Sequence, residues 1–413
     1  MGQLLLEPDV SFIKVLNERG GDTLKKCFQC ATCSVACPIS PDNKPFPRKE
    51  MIAASWGLKE RLVSDLDIWL CHNCGDCSVM CPRGARPGDV LGAIRNYAIE
   101  EYSPIPWLAK AVNDPKKLPV LLLIPVILFL VMGKLIAPML WAIIGPIFGW
   151  IFRFDPSTST FLNFSPELFH GEIAHGQFFS TWLVDMIFIP TAIFAVVCFA
   201  LGLKRFVVDM HNSAVREGKV KETEFSWVGL AKALPTVLVT ILRHDKFNEC
   251  SENKSRGTSH MMVLFGFIGL FVVTNICLVY LYGSALIVGY EHAWHGPYGQ
   301  LNPAKWLANF AGISLLVGSL AMIKNRLGRN EQHVKSSYPD WSLLGLVLGL
   351  AVTGLGAEVT RLAGAEFVTY LTYFLHLVFV WCLFAYVPFS KLAHLVYRTT
   401  ALAYAEYAGR DSK

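Results

Sequence analysis

The arrangement of apolar and polar residues divides the chain near Lys116. Before this point short apolar stretches alternate with charged residues, and after it long uncharged runs prevail. Six runs are each about 20 residues long, enough for a helix to cross roughly 30 Å of hydrocarbon at about 1.5 Å per residue. The predicted membrane spans are 118–137, 182–203, 261–282, 306–323, 341–360 and 367–390.

The first span is the least regular of the six. It contains Lys134, and a second apolar stretch, 135–152, follows with Pro138 and Pro146 inside it. We interpret this second stretch as a re-entrant or interfacial segment. A complete crossing would give seven spans and would put the two ends of the chain on opposite sides of the membrane.

The loop charges favour six spans. Lysines and arginines crowd the loop 204–259 and the loop after the fourth span, whereas the loops on the other side are nearly bare of them. Because basic loops remain in the cytoplasm, both termini are predicted to lie there. Within the basic loop, residues 226–243 are apolar but contain Pro235, which favours an amphipathic helix on the inner membrane face.

The composition is typical of a membrane protein with a soluble part. Of the 413 residues, 53% are hydrophobic and 17% are charged, whereas a soluble domain has about 25% charged residues. These values exclude a disordered chain, a coiled coil and an ordinary soluble enzyme. No apolar stretch near the N-terminus is long enough for a signal peptide, so the N-terminal part is expected in the cytoplasm and the spans in the inner membrane.

Eight of the twelve cysteines form two motifs of one spacing, C-x2-C-x2-C-x3-C-P. This spacing is typical of bacterial ferredoxins with two [4Fe–4S] clusters, in which the fourth cysteine of each motif binds the other cluster. A reducing cytoplasm disfavours disulfides, and zinc gives no reason for a doubled motif that ends in proline. The predicted ligands are Cys27, Cys30, Cys33 and Cys81 for the first cluster, and Cys71, Cys74, Cys77 and Cys37 for the second.

Three histidines lie at depths where haem could bind. His260 begins the third span at its inner end, His376 lies within the last span nearer the outer face, and His394 follows it by 18 residues. That spacing is five full helical turns, about 27 Å. We predict that His260 and His394 hold an inner haem b and that His376 holds an outer one. The alternative is that His260 and His394 merely reach the lipid headgroups.

The second ligand of the outer haem is open. His175, before the second span, is favoured if one long helix runs from Ala174 to Lys204. The other candidates are a methionine or one of His170, His292 and His295.

The predicted fold class is all-α. Residues 38–70 make a longer insert between the motifs than a compact ferredoxin has, and they include the helix-forming stretch 48–55. Residues 1–115 are therefore predicted to form a cytoplasmic helical ferredoxin domain with two [4Fe–4S] clusters. Residues 116–413 are predicted to form a six-helix transmembrane haem b bundle with a cytoplasmic amphipathic loop, 204–259.

Several features together resemble known families. The two cysteine motifs, with the segments 47–49 and 67–71, resemble the C subunit of heterodisulfide reductase. The segment 388–394 and the 18-residue histidine spacing resemble the haem b membrane component of that system, its E subunit, and, more distantly, the gamma subunit of respiratory nitrate reductase. A fusion of these two parts resembles the membrane subunit family of the quinone-interacting membrane-bound oxidoreductases of sulfate reducers.

The resemblance implies a function in sulfate respiration. Electrons would pass from menaquinol through two haems b and two [4Fe–4S] clusters to flavin- and iron–sulfur-containing soluble subunits, and on to adenylylsulfate reductase. The chain has no dinucleotide-binding glycine motif of its own, so a flavin must come from a partner, and no nucleic-acid partner is expected. The nitrate reductase subunit has a second histidine where Leu270 stands here, so the outer haem's second ligand does not carry over.

Quinol oxidation releases protons, which require ionisable side chains. Asp185 in the second span and Glu358, near Arg361 at the outer end of the fifth, are the candidates. An ion pair or a topology anchor is the alternative role for both. Two other functions stay open at this point: a quinone-reducing subunit of a heterodisulfide reductase-like or sulfite-reduction complex, and a passive membrane anchor in which only the clusters are active.

Overall fold

The structure is a computed structural model that describes residues 7–153, 155, 173–220, 224–245, 249, 251, 256–328 and 334–410. Every regular element within these ranges is helical, which confirms the all-α prediction for them. The helices before the membrane region are α1 Val10–Leu16, α2 Thr32–Val35, α3 Arg48–Ser55, α4 Lys59–Val63, α5 Asp67–Leu70, α6 Asp76–Val79, α7 Pro87–Tyr102 and α8 Pro106–Val112.

The remaining helices are longer and more apolar. They are α9 Leu118–Val131, α10 Ala137–Phe152, α11 His175–Phe178, α12 Thr181–Arg216, α13 Trp227–Arg243, α14 Arg256–Leu278, α15 Ser284–Val288, α16 Pro303–Leu327, α17 Tyr338–Leu362, α18 Glu366–Tyr386 and α19 His394–Tyr407. Five helical segments among the described residues are long and apolar enough to cross a bilayer. They are Thr181–Arg216, Arg256–Val288, Pro303–Leu327, Tyr338–Leu362 and Glu366–Phe389.

The first predicted span, 118–137, is not among these five segments. A π-helical turn, Met132–Ile136, separates α9 with 14 residues from α10 with 16 residues. Pro138, in the first turn of α10, has no amide hydrogen to donate to the preceding turn. The structure therefore supports five spans where the sequence predicted six.

A second correction concerns the approach to α12. The helix predicted from Ala174 to Lys204 is broken, because Phe179 and Ser180 have extended backbones between α11 and α12. The Ser180 side chain accepts a hydrogen bond from the amide of Leu183 at 3.3 Å and so caps α12. His175 consequently lies on a separate single-turn helix.

The apolar segment in the basic loop is the helix α13, as predicted. It packs along α19, the last helix of the chain. Gly229 permits this approach, because a Cβ atom there would lie 2.4 Å from the ring of Tyr407. Ser226 caps α13 by accepting from the Gly229 amide at 3.2 Å.

A buried ion network joins the N-terminal helices to residues just beyond α12 and α19. The Lys219 ammonium, just beyond α12, lies 2.6 Å from Asp65, 3.0 Å from Asp67 and 2.9 Å from Glu217. Arg410, beyond α19, binds Asp67 at 3.1 Å. Burial alone would lower the pKa of Lys219, but the carboxylates raise it above its ordinary value, so the lysine stays charged. Breaking one partner out of such a buried pair costs about 3–5 kcal/mol, so the network fixes how the two parts meet.

Glu50 completes the charge balance of this network. Its carboxyl is fully buried, and neither oxygen has a hydrogen-bond partner among the described residues. Burial, and then the charges of Asp65 and Asp67, raise the pKa of Glu50 well above its usual range, which favours its neutral form. The remaining three carboxylates then face three cations, namely Arg61, Lys219 and Arg410.

Candidate functional site

The two cysteine loops have matching backbone conformations. Gln29 and Ala31 in the first loop have φ angles of 60° and 71°, and Asn73 and Gly75, at the equivalent places, have 51° and 105°. Left-handed residues at these positions turn successive amide groups toward one side, as in the backbone nests that surround anionic clusters. The loops lead into α2 and α6, which pack against each other.

The thiols fall into two groups that each combine residues from both motifs. Burial, and then the charges of Cys27, Cys81 and Cys30, raise the pKa of Cys33 to about 11. These four thiols are therefore close enough to interact. All eight motif cysteines are free thiols.

The second group assembles in the same crossed manner around Cys37. Burial, and then the charge of Cys71, raise the pKa of the Cys37 thiol to about 12, with Cys74 contributing as well. Burial raises the pKa of Cys77, and Cys71, Cys74 and Cys37 are its next strongest influences. Four thiols in each group are the donor set that a [4Fe–4S] cluster takes, so the residues fit two such clusters.

The two groups differ in exposure. Cys30 of the first group is exposed, and its sulfur lies 3.3 Å from the Thr32 hydroxyl. In the second group Cys71 and Cys77 are buried. We call the first group the surface set (Cys27, Cys30, Cys33, Cys81) and the second the inner set (Cys37, Cys71, Cys74, Cys77).

Three arginines surround the loop of the inner set. Arg95 donates to the carbonyl of Cys71 at 2.6 Å, and Arg256 donates to the carbonyl of Asn73 at 2.9 Å. Arg398 donates to the carbonyl of Trp69 at 3.2 Å. Arg256 begins α14 and Arg398 lies in the first half of α19, so the inner set faces the N-terminal ends of these two helices.

The inner histidines lie at this same end. His260 follows Arg256 by four residues and His394 precedes Arg398 by four, so each histidine lies about one helical turn from an arginine that binds this loop. His260 Nδ1 shares a hydrogen bond of 2.9 Å with His244 Nε2, and His394 Nδ1 donates to the carbonyl of Lys391. Imidazoles that bind metals engage their second ring nitrogen in this way, which leaves Nε2 as the iron-binding atom. Burial lowers the pKa of His394 to about 4, so its ring is neutral, as a ligand must be.

His244 is the residue that sequence reasoning missed. It is buried and ends α13 in a left-handed conformation with φ of 57°. Its position directly after an apolar helix in a basic loop is typical of a surface residue, and only the folded arrangement brings it to His260.

The outer histidine also has an engaged Nδ1. His376 Nδ1 lies 3.1 Å from the Thr353 hydroxyl. A Cβ atom at Gly354 would lie 3.0 Å from the ring of His376, so glycine makes room for the imidazole there.

His175 lies near His376 despite the break before α12. Burial is the main cause that lowers the pKa of His175 to about 4, and the charge of His376 contributes. Within the part of the chain that the structure describes, the buried Nε2 of His175 has no hydrogen-bond partner. The Tyr373 ring lies 4.5 Å from the His175 ring, centroid to centroid. Its buried Nε2 atom makes His175 the candidate second donor beside His376 among the described residues.

The other candidates for this position are less suited. His170 lies outside the described residues. His292 is exposed on a short 3₁₀ turn, and the Nε2 atom of His295 lies 2.7 Å from the carbonyl of Tyr290.

The two candidate proton acceptors have different surroundings. Asp185 accepts a hydrogen bond from the Tyr282 hydroxyl inside a cluster of aromatic rings, where Trp182 lies 5.8 Å from Tyr282 and 5.1 Å from Tyr290. Glu358 instead forms an ion pair of 2.8 Å with Lys305 and accepts from Gln300 and Asn309. The surroundings of Glu358 therefore favour the anchoring role that the sequence left open.

Comparison with known proteins covers the N-terminal region. Residues 23–85 match the family model described as a 4Fe-4S dicluster domain. The chain is 38% identical over 91 residues, 22% of its length and 49% of the relative's, to the C subunit of the H(2):CoB-CoM heterodisulfide,ferredoxin reductase of Methanothermobacter marburgensis. It is 33% identical over 91 residues, again 22% of its length and 48% of the relative's, to a protein of Archaeoglobus profundus that is described as like the C subunit of heterodisulfide reductase.

A third relative extends the match slightly. The C subunit of the ferredoxin/F(420)H(2)-dependent CoB-CoM heterodisulfide reductase of Methanosarcina acetivorans is 31% identical over 94 residues, 23% of this chain and 57% of the relative. The chain thus spans about half the length of the curated relatives that it matches. No solved structure matches the chain. The N-terminal region therefore resembles the iron–sulfur domain of the C subunit of heterodisulfide reductase, and it is joined here to helices that are apolar enough to cross a membrane.

Proposed function

We propose that the protein is a membrane electron-transfer subunit of an oxidoreductase complex, which connects a quinol in the bilayer to a soluble redox partner. The observation that carries the proposal is the position of the inner set, held by arginines of the same helices that carry His260 and His394. The surface set includes the exposed Cys30 and, in this proposal, is the exit toward the soluble partner.

Each donor group has a defined task in this proposal. The two cysteine sets hold [4Fe–4S] clusters, His260 and His394 hold the inner haem b, and His376 and His175 hold the outer one. When bound, these groups supply one-electron carriers between a two-electron quinol and the partner. The half-buried arginines Arg95, Arg256 and Arg398 and the ion network of Lys219 keep the two cysteine sets at a fixed place against α12, α14 and α19.

The finer assignment rests on resemblance. Menaquinol would be the electron donor, and flavin- and iron–sulfur-containing soluble subunits would carry the electrons to adenylylsulfate reductase in sulfate respiration. The chain would lie in the inner membrane, with its iron–sulfur domain and both termini in the cytoplasm. The alternative is a quinone-reducing subunit of a heterodisulfide reductase-like or sulfite-reduction complex, which uses the same donors in the opposite direction.

Asp185 is the residue that we expect to accept the quinol proton. Replacing Asp185 by asparagine keeps the side-chain shape and the Tyr282 contact but removes the proton acceptor. Quinol oxidation should fall by about 100-fold, the lower range for losing a general base. Steady-state oxidation of a quinol analogue by the haem-loaded protein measures the effect.

The matched control for Asp185 is Glu291→Gln, because Glu291 is an exposed carboxylate on a short 3₁₀ turn. This variant should oxidise quinol at the rate of the unaltered protein. A rate for Asp185→Asn equal to that of Glu291→Gln would remove Asp185 from the proposed quinol site. Glu358, held by Lys305, is proposed as an anchor of the helix ends.

A further inference from the structure

Two arginines stand in the same relation to the two inner histidines. Arg256 precedes His260 by four residues in α14, and Arg398 follows His394 by four residues in α19. Residues four apart lie on one face of a helix. Each helix therefore presents a histidine and an arginine on one side, with the arginine toward the N-terminal domain.

Arg398 makes the more extensive of the two contacts with the inner set. Its Nε donates to the Trp69 carbonyl at 3.2 Å, and its Nη2 lies 2.7 Å from Nδ1 of His72. Arginine has only donor groups, so His72 Nδ1 must accept, and the ring is neutral. Burial, and then the charge of Arg398, hold the pKa of His72 well below its usual range, in agreement with this assignment.

Arg256 binds the same loop at the residue that follows His72. It donates to the carbonyl of Asn73 at 2.9 Å, at the left-handed residue that turns the loop toward Cys74. The segment 69–73 is thus held at once from α14, a candidate membrane span, and from α19, which follows the last span. This arrangement leaves the inner set little freedom to move relative to His260 and His394.

The charges of these arginines act where water screens them little. Both side chains are half-buried, and Cys71, the first thiol of the loop they bind, is buried. Partly buried charges are screened much less than exposed ones. Net charge near a cluster is one of the terms that set its reduction potential, and a positive charge favours the reduced, more negative form.

We propose that Arg256 and Arg398 are positioning residues that fix the inner set against the inner haem histidines and raise the midpoint potential of the cluster it holds. This inference rests on the proposed function, since it needs both groups to be bound. It adds an assignment that the cysteine motif does not contain: the potential of the inner cluster depends on an arginine of α14 and an arginine of α19.

The test is a redox titration of the full-length protein in membranes, with clusters followed by electron paramagnetic resonance and haem by absorbance. In Arg398→Gln the midpoint potential of one cluster should fall by about 59 mV. This is a tenfold change in the equilibrium constant of a one-electron reduction. The other cluster should be unchanged. Arg398→Lys keeps the charge and should titrate close to the unaltered protein, which a merely structural role would not predict.

Two further variants complete the design. Arg256→Gln should lower the same cluster's potential, and it decides the matter if Arg398→Gln fails to assemble. Arg243→Gln removes an exposed arginine at the end of α13 and should shift no cluster. If Arg398→Gln or Arg256→Gln had full iron and haem content and unchanged cluster potentials, this inference alone would be overturned. Absence of haem or iron from the unaltered protein would instead overturn the proposed function.

Discussion

Replacing His394 by alanine is expected to remove one of two haems and leave both cysteine sets loaded. The ring is neutral and its Nδ1 donates to the carbonyl of Lys391, so in the proposed function it supplies one of the two nitrogens that the inner haem needs. With one nitrogen gone, His260 alone cannot hold the haem in a six-coordinate form. Electron transfer from quinol to the clusters should be lost, while iron content stays unchanged.

The measurement for His394 is haem per protein, from a reduced-minus-oxidised absorbance spectrum of the purified chain. Roughly half of the haem should disappear, as expected for one of two b-type sites. His292→Ala is the matched control, because His292 is an exposed histidine on a short 3₁₀ turn. Unchanged haem content in His394→Ala would show that this histidine is not a ligand.

Replacing Cys81 by serine should remove the cluster of the first motif, although Cys81 belongs to the second. The thiol lies with Cys33, whose pKa responds to it, and each [4Fe–4S] cluster needs four thiolates. Cluster iron should fall from about eight to about four per chain. The remaining paramagnetic signal should equal that of Cys30→Ser and differ from that of Cys74→Ser.

The reciprocal variant tests the same crossing from the other side. Cys37→Ser should match Cys74→Ser, because Cys37 lies with Cys71 and Cys74. Cys382→Ser, a buried thiol in α18, is the control and should keep all the iron. If Cys81→Ser instead matched Cys74→Ser, each motif would hold its own cluster and the crossed assignment would be wrong.

The eight candidate cysteine ligands could be predicted because the spacing within each local motif identifies them. A motif of four cysteines ending in proline defines its own loop, and the left-handed positions at Gln29 and Asn73 belong to that loop. The apolar spans were predictable for a similar reason, since hydrophobic length is a local property. The first span is the exception, since 118–137 is not among the five segments; its apolar run contains a π-helical turn, Met132–Ile136, followed by Pro138.

The contacts that join the two parts of the chain were beyond sequence reasoning. Lys219 meets Asp65 across 154 positions, and Arg398 meets His72 across 326. Lysines and arginines in a basic loop are normally solvated, and no pattern distinguishes the few that become buried partners of carboxylates or carbonyls. The contact of His244 with His260 was equally unpredictable, because it forms only where the end of α13 lies beside the start of α14.

The outer site shows a mixed outcome. The sequence favoured His175 on the basis of one long helix, and that helix is broken at Phe179. The single-turn helix α11 nevertheless brings His175 close enough to His376 for their charges to interact. An apolar pattern indicates where a helix can run, whereas a capping serine such as Ser180 decides where it begins.

The most direct test of electron transfer through this chain is the addition of a reduced menaquinone analogue to the full-length protein, purified without oxygen and fully oxidised. We expect that reduced haem b absorbance and the paramagnetic signal of a reduced [4Fe–4S] cluster both appear. In His394→Ala only the outer haem should become reduced, and the cluster signal should be absent. A protein that contains no haem, and whose clusters stay oxidised when the quinol is added, would contradict the proposed function.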